Sequence, residues 1–228
     1  MARTPPVSTQ PASRPIILLT GFGPFPGVPV NASQRLVKAL ARRARPQFPQ
    51  HDVTCAILHT EWQRAPHRVA MLAHRLQPVL TLHFGVASGS TSLRIERHAA
   101  NACRIAPDAA GDIPRVAELM AAGEARHAVT IPVDAVYQTL AQSGIPVSLS
   151  DDAGGYLCNA VLYHSLSLHA RAERPGRVGF IHLPDDLSRP PLTFSVALNA
   201  CLEIIEACLD ADHPSSRMRR SDPTLLRR

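Results

Sequence analysis

Ile16–Thr20, Val53–Leu58, Val79–Val86, Pro146–Ser150 and Arg177–His182 are short apolar runs. Between them lie stretches with helical periodicity near Ser33–Arg45, Arg64–Arg75, Pro132–Ser143 and Cys158–Ala170, and a last one follows at Leu192–Leu209. Strands that alternate with helices pair in parallel, because each crossover needs a helix to return the chain to the same sheet edge. The pattern predicts an α/β fold: one three-layer α/β/α sandwich around a twisted, mostly parallel mixed sheet. Residues 87–128, rich in Ala, Gly and Pro, carry no clear period. No internal repeat and no second domain is visible. The expected organisation is a disordered extension over 1–14, one folded domain over 15–213 and a basic tail over 214–228.

The formal charge of +6 raises a nucleic-acid reading, but its distribution opposes one. Between Pro15 and His213 the charges balance, 17 Lys and Arg against 17 Asp and Glu, and the excess sits in the two ends. A basic tail of this kind reads as a solvated end. No apolar run approaches the ~18 residues of a membrane span, and Met1–Pro15 has no apolar stretch of the kind a secretory signal needs. The five cysteines, Cys55, Cys103, Cys158, Cys201 and Cys208, are odd in number and include no CxxC pair. That fits reduced thiols in the cytoplasm. There is no HExxH and no Cys/His ligand spacing, so no metal site is expected.

Ligands of a parallel sheet bind beyond the carboxyl ends of its strands. The residues expected there are Phe22 and Phe25, Thr60, the segment up to Glu96, Cys158 and His182. Cys158 follows Asp151-Asp152-Ala153-Gly154-Gly155 and opens a helix. Helix-start N–H groups favour a thiolate and can hold an oxyanion. His182 closes a strand and could take the thiol proton. Glu96 could orient that histidine as the acid of a triad, or it could form a surface ion pair with Arg94 or Arg97. Cys55, Cys201 and Cys208 read as core, and His164 and His169 as packing or surface residues. Gly21–Gly27 holds two aromatics but lacks a phosphate-loop pattern; it suits an apolar ligand wall or core packing.

Taken in order, these segments resemble the type I pyroglutamyl peptidases (pyrrolidone-carboxylate peptidases). Thr20-Gly21-Phe22-Gly23-Pro24-Phe25-Pro26-Gly27 with Asn31-Ala32-Ser33 is similar to the family's T-G-F-E-P-F-G-G and N-P-S. Gly85–Gly89 and Ile95–Asn101 resemble G-x-A-G-G-R and P-E-R-x-A-x-N, and Cys103–Gly111 resembles A-R-I-P-D-N-x-G. Gly144–Asn159 and Gly179–Pro184 resemble the segments around the family's cysteine and histidine. The likeness runs from about Pro15 to Leu209. It implies a Cys158, His182 and Glu96 triad, a pyroglutamyl pocket lined by Phe22, Phe25, Thr60, Tyr156 and Leu157, and Arg104 near the oxyanion. It further implies peptide substrates with N-terminal pyroglutamate, a homotetramer and no cofactor. Gly23 stands where the family has an acid, Pro26 a glycine, Ala32 a proline, Val86 a glutamine and Ser88 a glycine. These departures leave open a diverged member with altered or lost activity that binds peptides or serves an assembly.

Overall fold

A computed structural model describes residues 13–25, 27–172 and 176–211. Most of the expected extension and all of the basic tail, together with Pro26, lie outside the described residues. Six strands form the main sheet: β1 (Ile16–Phe22), β2 (Asp52–Leu58), β3 (Leu80–Ala87), β4 (Leu93–Glu96), β7 (Val147–Ser150) and β8 (Arg177–Pro184). Their order is β2-β1-β3-β8-β4-β7. β5 (His98–Ala100) and β6 (Arg126–Ala128) make a separate antiparallel pair. The helices are α1 (Ala32–Gln47), α2 (Arg64–Leu76), α3 (Val133–Gln142), α4 (Leu157–Ala172) and α5 (Phe194–Asp210).

β2, β1, β3 and β8 run parallel, as the alternating pattern requires. β4 then pairs antiparallel with β8 and parallel with β7, so the last two strands are reversed. The sheet is mixed and mostly parallel, as expected, with helices on both faces. α1, α3 and α5 pack together on one face over Leu19, Leu82, Ile95 and Ile181. α2 and α4 pack on the other over Phe22, Leu58 and Phe180.

Two local features fix the junction of β1 and α1. The Asn31 side chain caps α1 by accepting from the Ser33 amide at 3.1 Å, and the Ser33 hydroxyl accepts from the Phe22 amide at 3.0 Å. A β-carbon on Gly21 would stand 2.7 Å from the Ser33 carbonyl oxygen, so only glycine lets the strand and the helix start meet this closely. Among the described residues no helix is long and apolar enough to cross a membrane.

Candidate active site

Cys158 lies in the first turn of α4, immediately beyond the turn that leaves β7. Gly154 in that turn adopts φ +79°, a left-handed conformation that a side chain would strain. Asn159, next to the thiol, ties the helix start to the β5 strand and its exit: its Oδ1 accepts from the Ala100 amide at 2.9 Å, and its Nδ2 donates to the Ala100 and Ala102 carbonyls at 2.8 Å each. The α4 N-terminus is therefore pinned from the side, and the thiol with it.

His182 sits on β8, nearly buried, and shares a hydrogen bond with Cys158. Its Nδ1 lies 2.7 Å from Oε1 of Glu96. Their backbones are not direct partners. Glu96 opposes Phe180 and Arg94 opposes His182, so the Glu96–His182 bond crosses the antiparallel ladder diagonally, within reach of long side chains. Because β4 is reversed, Glu96 does not emerge from the carboxyl rim of the parallel strands. It reaches back toward His182 from the opposite direction, and the single-rim expectation is corrected in that respect. Glu96 is fully buried, not a surface residue; Arg94 Nη2 lies 3.5 Å from it, while Arg97 pairs instead with Asp151.

Electrostatics follow the geometry. Burial pulls the His182 imidazole toward its neutral form, but the negative charge and hydrogen bond of Cys158, joined by the bond and charge of Glu96, outweigh it. The net effect raises His182 to about 9. Burial pushes Cys103 and Cys201 up and holds Cys208 at about 12, so these three thiols are poor nucleophiles. Cys201 and Cys208 are core residues; Cys55 is half-buried against the core from β2.

A cleft of about 400 Å³ opens over the thiol. Phe22, Phe25, Thr60, Arg104, Tyr156, Leu157, Cys158 and His182 all line it, and Glu96 stands behind His182. Phe22 and Leu157 are buried and form its back wall, whereas Phe25 stands toward the opening with its ring 6.1 Å from that of Tyr156. Thr60 donates to the Gly23 carbonyl at 3.2 Å, which braces the loop that carries Phe25. Arg104 packs on Gly155, where a β-carbon would meet its Cγ at 2.7 Å.

Sequence reading passed over three residues. Asp108 is buried and accepts from the amides of Trp62, Ala110 and Asp112 at 2.8–3.0 Å, joining two loops into the outer wall. Its signal is an acid in a run of Pro, Ala and Gly, with Asp112 four residues on. Asn159 gave no signal beyond its place after the cysteine. Arg94, which by sequence is only a possible ion-pair partner of Glu96, lines the cleft. Among the described residues there is no group of three His, Cys, Asp or Glu side chains that could hold a metal ion.

The family model for pyroglutamyl peptidase matches residues 16–201. The chain belongs to the pyroglutamyl peptidase family. The pyrrolidone-carboxylate peptidase of Vibrio vulnificus is 35% identical over 202 residues, which cover 86% of this chain and 93% of that protein. The Coprothermobacter proteolyticus protein of the same name is 36% identical over 171 residues, 74% of this chain and 80% of its own. Among solved structures, a mutant pyrrolidone carboxyl peptidase of Pyrococcus furiosus superposes with a TM-score of 0.79 at 28% identity, covering 86% of this chain and 99% of that one. The Thermococcus litoralis enzyme gives 0.78 at 26% identity, covering 86% and 94%. Family membership thus extends over the whole sheet and every segment that lines the cleft.

Proposed function

We propose that this chain is a cysteine peptidase that removes N-terminal pyroglutamate from peptides, with Cys158 as nucleophile, His182 as proton carrier and Glu96 as the acid that orients it. The observation that carries this reading is the contact series from Glu96 through His182 to Cys158, placed beneath an aromatic cleft. The raised His182 holds a proton beside Cys158, available for the leaving nitrogen.

The thiolate sulfur attacks the acyl carbonyl of the pyroglutamyl residue and forms a C–S bond. The oxyanion that results faces the N–H groups of the first α4 turn, with Arg104 on the same cleft wall. His182 gives its proton to the leaving nitrogen, the C–N bond breaks, and the shortened peptide departs as an amine. The neutral imidazole then takes a proton from water, which attacks the thioester and releases pyroglutamate. Pyroglutamate is small, flat and uncharged, and its ring suits the space between Phe22, Phe25 and Tyr156. An ordinary charged N-terminus would have to shed its water there without a partner. Five free thiols suit a reducing cytoplasm.

The test is hydrolysis of a pyroglutamyl coumarin amide. Cys158→Ala should abolish turnover with circular dichroism unchanged, and one equivalent of iodoacetamide should inactivate the enzyme by modifying Cys158. Inactivation through Cys55, with Cys158→Ala still active, would overturn the assignment.

A further inference from the structure

The cleft holds a cation that the acyl-transfer scheme leaves unused. Arg94 lies two residues before Glu96 on β4, so both side chains leave the same face of the sheet. Register sets Arg94 directly opposite His182. Arg94, Glu96 and His182 therefore form one cluster on one face, and the contacts run through a single nitrogen. Arg94 Nη2 is 3.5 Å from Glu96 Oε1, the same oxygen that meets His182. That nitrogen also donates to the Ser150 hydroxyl at 2.7 Å and to the Asp152 carbonyl at 3.1 Å. Ser150 in turn donates to the Asp152 carbonyl at 3.1 Å and accepts from the Asp152 amide at 3.2 Å. Asp152 belongs to the turn that delivers Cys158.

One guanidinium thus touches both the acid behind the histidine and the turn before the nucleophile. Glu96 has a further need for it. The carboxylate is fully buried and its Oε2 has no hydrogen-bond partner. A buried carboxylate demands compensation, and an oxygen with no bond leaves the group free to turn away from His182. The Arg94 charge opposes both tendencies.

We infer that Arg94 is a positioning residue that locks Glu96 and the Asp151–Gly155 turn in one register, so that His182 and Cys158 meet. The inference rests on the triad reading above. A surface ion pair of no consequence would have both partners exposed. Here Glu96 is at 0% and the Arg94 side chain at 34%. The charged and titratable groups around His182 are Arg94 and Glu96 on β4, Cys158 on α4, and Asp152, Arg104 and Tyr156 on the cleft rim. β3 offers none beside it, since Gly85 and Val86 stand there.

The test compares Arg94→Met and Arg94→Lys with the wild type in two measurements: kcat and KM on the coumarin amide, and the His182 titration followed by NMR. Arg94→Met should lower kcat by up to about 10²-fold, the scale of a small misplacement of reacting groups, with KM changed by a small factor. It should also raise the His182 titration midpoint, because the Glu96 charge then acts on His182 undivided. Arg94→Lys should restore the midpoint but only part of kcat, since it keeps the charge and loses the planar fork. Wild-type kcat and an unmoved midpoint in Arg94→Met would overturn the inference, as would a kcat loss that tracks thermal midpoint alone. If the wild type is inactive while Arg94→Met still raises the His182 midpoint, the triad reading falls and the Arg94 contact stands.

Discussion

A β-carbon on Gly85 would stand 2.8 Å from the Sγ of Cys158 and 2.8 Å from Cζ of Phe180. Gly85 is on β3 and pairs with His182 on β8, so the sheet beside the histidine is kept bare where the thiol must lie. The Gly85 backbone is not in the left-handed region, and a substitution there acts through space alone. Gly85→Ala should cut kcat/KM by at least about 10²-fold, because it displaces the sulfur from His182. It should also cost about 1–3 kcal/mol of stability through overpacking. Steady-state kinetics and urea denaturation measure the two effects. Wild-type turnover in Gly85→Ala would show that Sγ does its work elsewhere.

Glu96→Gln keeps the shape of the side chain and removes its charge. The loss should fall in kcat, on the order of 10²–10⁴-fold, as for the acid of other triads. The pH dependence gives a sharper readout. Glu96 is among the groups that raise His182 to about 9, so its neutralisation should move the alkaline limb of kcat/KM downward, opposite in sign to Arg94→Met. Stability carries the same sign. A histidine raised in the folded state stabilises fully below 6.5, its ordinary value, and that contribution is lost as pH climbs through about 9. The variant should lose less stability across that interval. An alkaline limb that stays in place would remove Glu96 from the electrostatics of His182.

The long elements were legible, α1 and α2 through strong helical periods and α4, β2 and β8 through apolar runs of suitable length, and all fall within about two residues of the positions their sequences predict. β4 was not, although Leu93 and Ile95 alternate with Arg94 and Glu96 as a half-buried strand should. Four residues between Ser92 and Arg97 are too few to stand out. Their alternation also misleads, since polar residues on a strand's outer face normally meet water and here meet the cleft. The reversal of β4 and β7 has no local signal at all. It decides how Glu96 reaches His182, and only the packed sheet reveals it. The aromatic wall and the cysteine turn were legible for the opposite reason, because Gly and Pro fix backbone shape without tertiary help.

His83 offers a stability test away from the chemistry. It is completely buried on β3, with Nδ1 2.6 Å from the Thr20 hydroxyl and Nε2 2.8 Å from the Ser165 hydroxyl of α4. Burial lowers it to about 3. The imidazole is neutral when folded, whereas the unfolded chain protonates near 6.5, so stability is full above that pH and falls as pH drops toward about 3. His83→Gln should be less stable at pH 7 by about 1–3 kcal/mol, the usual cost of unmade buried hydrogen bonds. It should then decline less steeply than the wild type between pH 6.5 and 4. His164 and His169, also lowered by burial, act in the same direction in both proteins and leave the difference to His83. Parallel decline would show that His83 is not what makes the fold sensitive to acid.

The proposed function makes the outer aromatics the determinants of substrate choice. Phe22 is buried behind the cleft against Phe180, with centroids 6.5 Å apart, and its replacement would disturb the core. Phe25 packs on Tyr156 near the opening, and the Tyr156 ring meets Trp62 edge-on at 5.1 Å. Phe25 can therefore be removed without opening the sheet. On the proposed function Phe25 would contact the lactam in both the ground and the transition state, so Phe25→Ala should raise KM with kcat nearly unchanged. The same pocket should reject prolyl amides, which share the ring size but carry a charged amine and lack the lactam carbonyl. Unpaired polar groups in the site add about 1–3 kcal/mol each to that rejection. Val86, which lines the cleft, and Gly23, whose carbonyl accepts from Asn31 and Thr60, are two of the positions where the sequence departs from the motifs it resembles. A panel of pyroglutamyl, prolyl and glutamyl coumarin amides at equal concentration measures their effect. The expected order is pyroglutamyl far above prolyl, with glutamyl lowest because it adds a second charge and has no ring. Equal kcat/KM for the prolyl and pyroglutamyl substrates would mean that the departures at Val86 and Gly23 have opened the pocket.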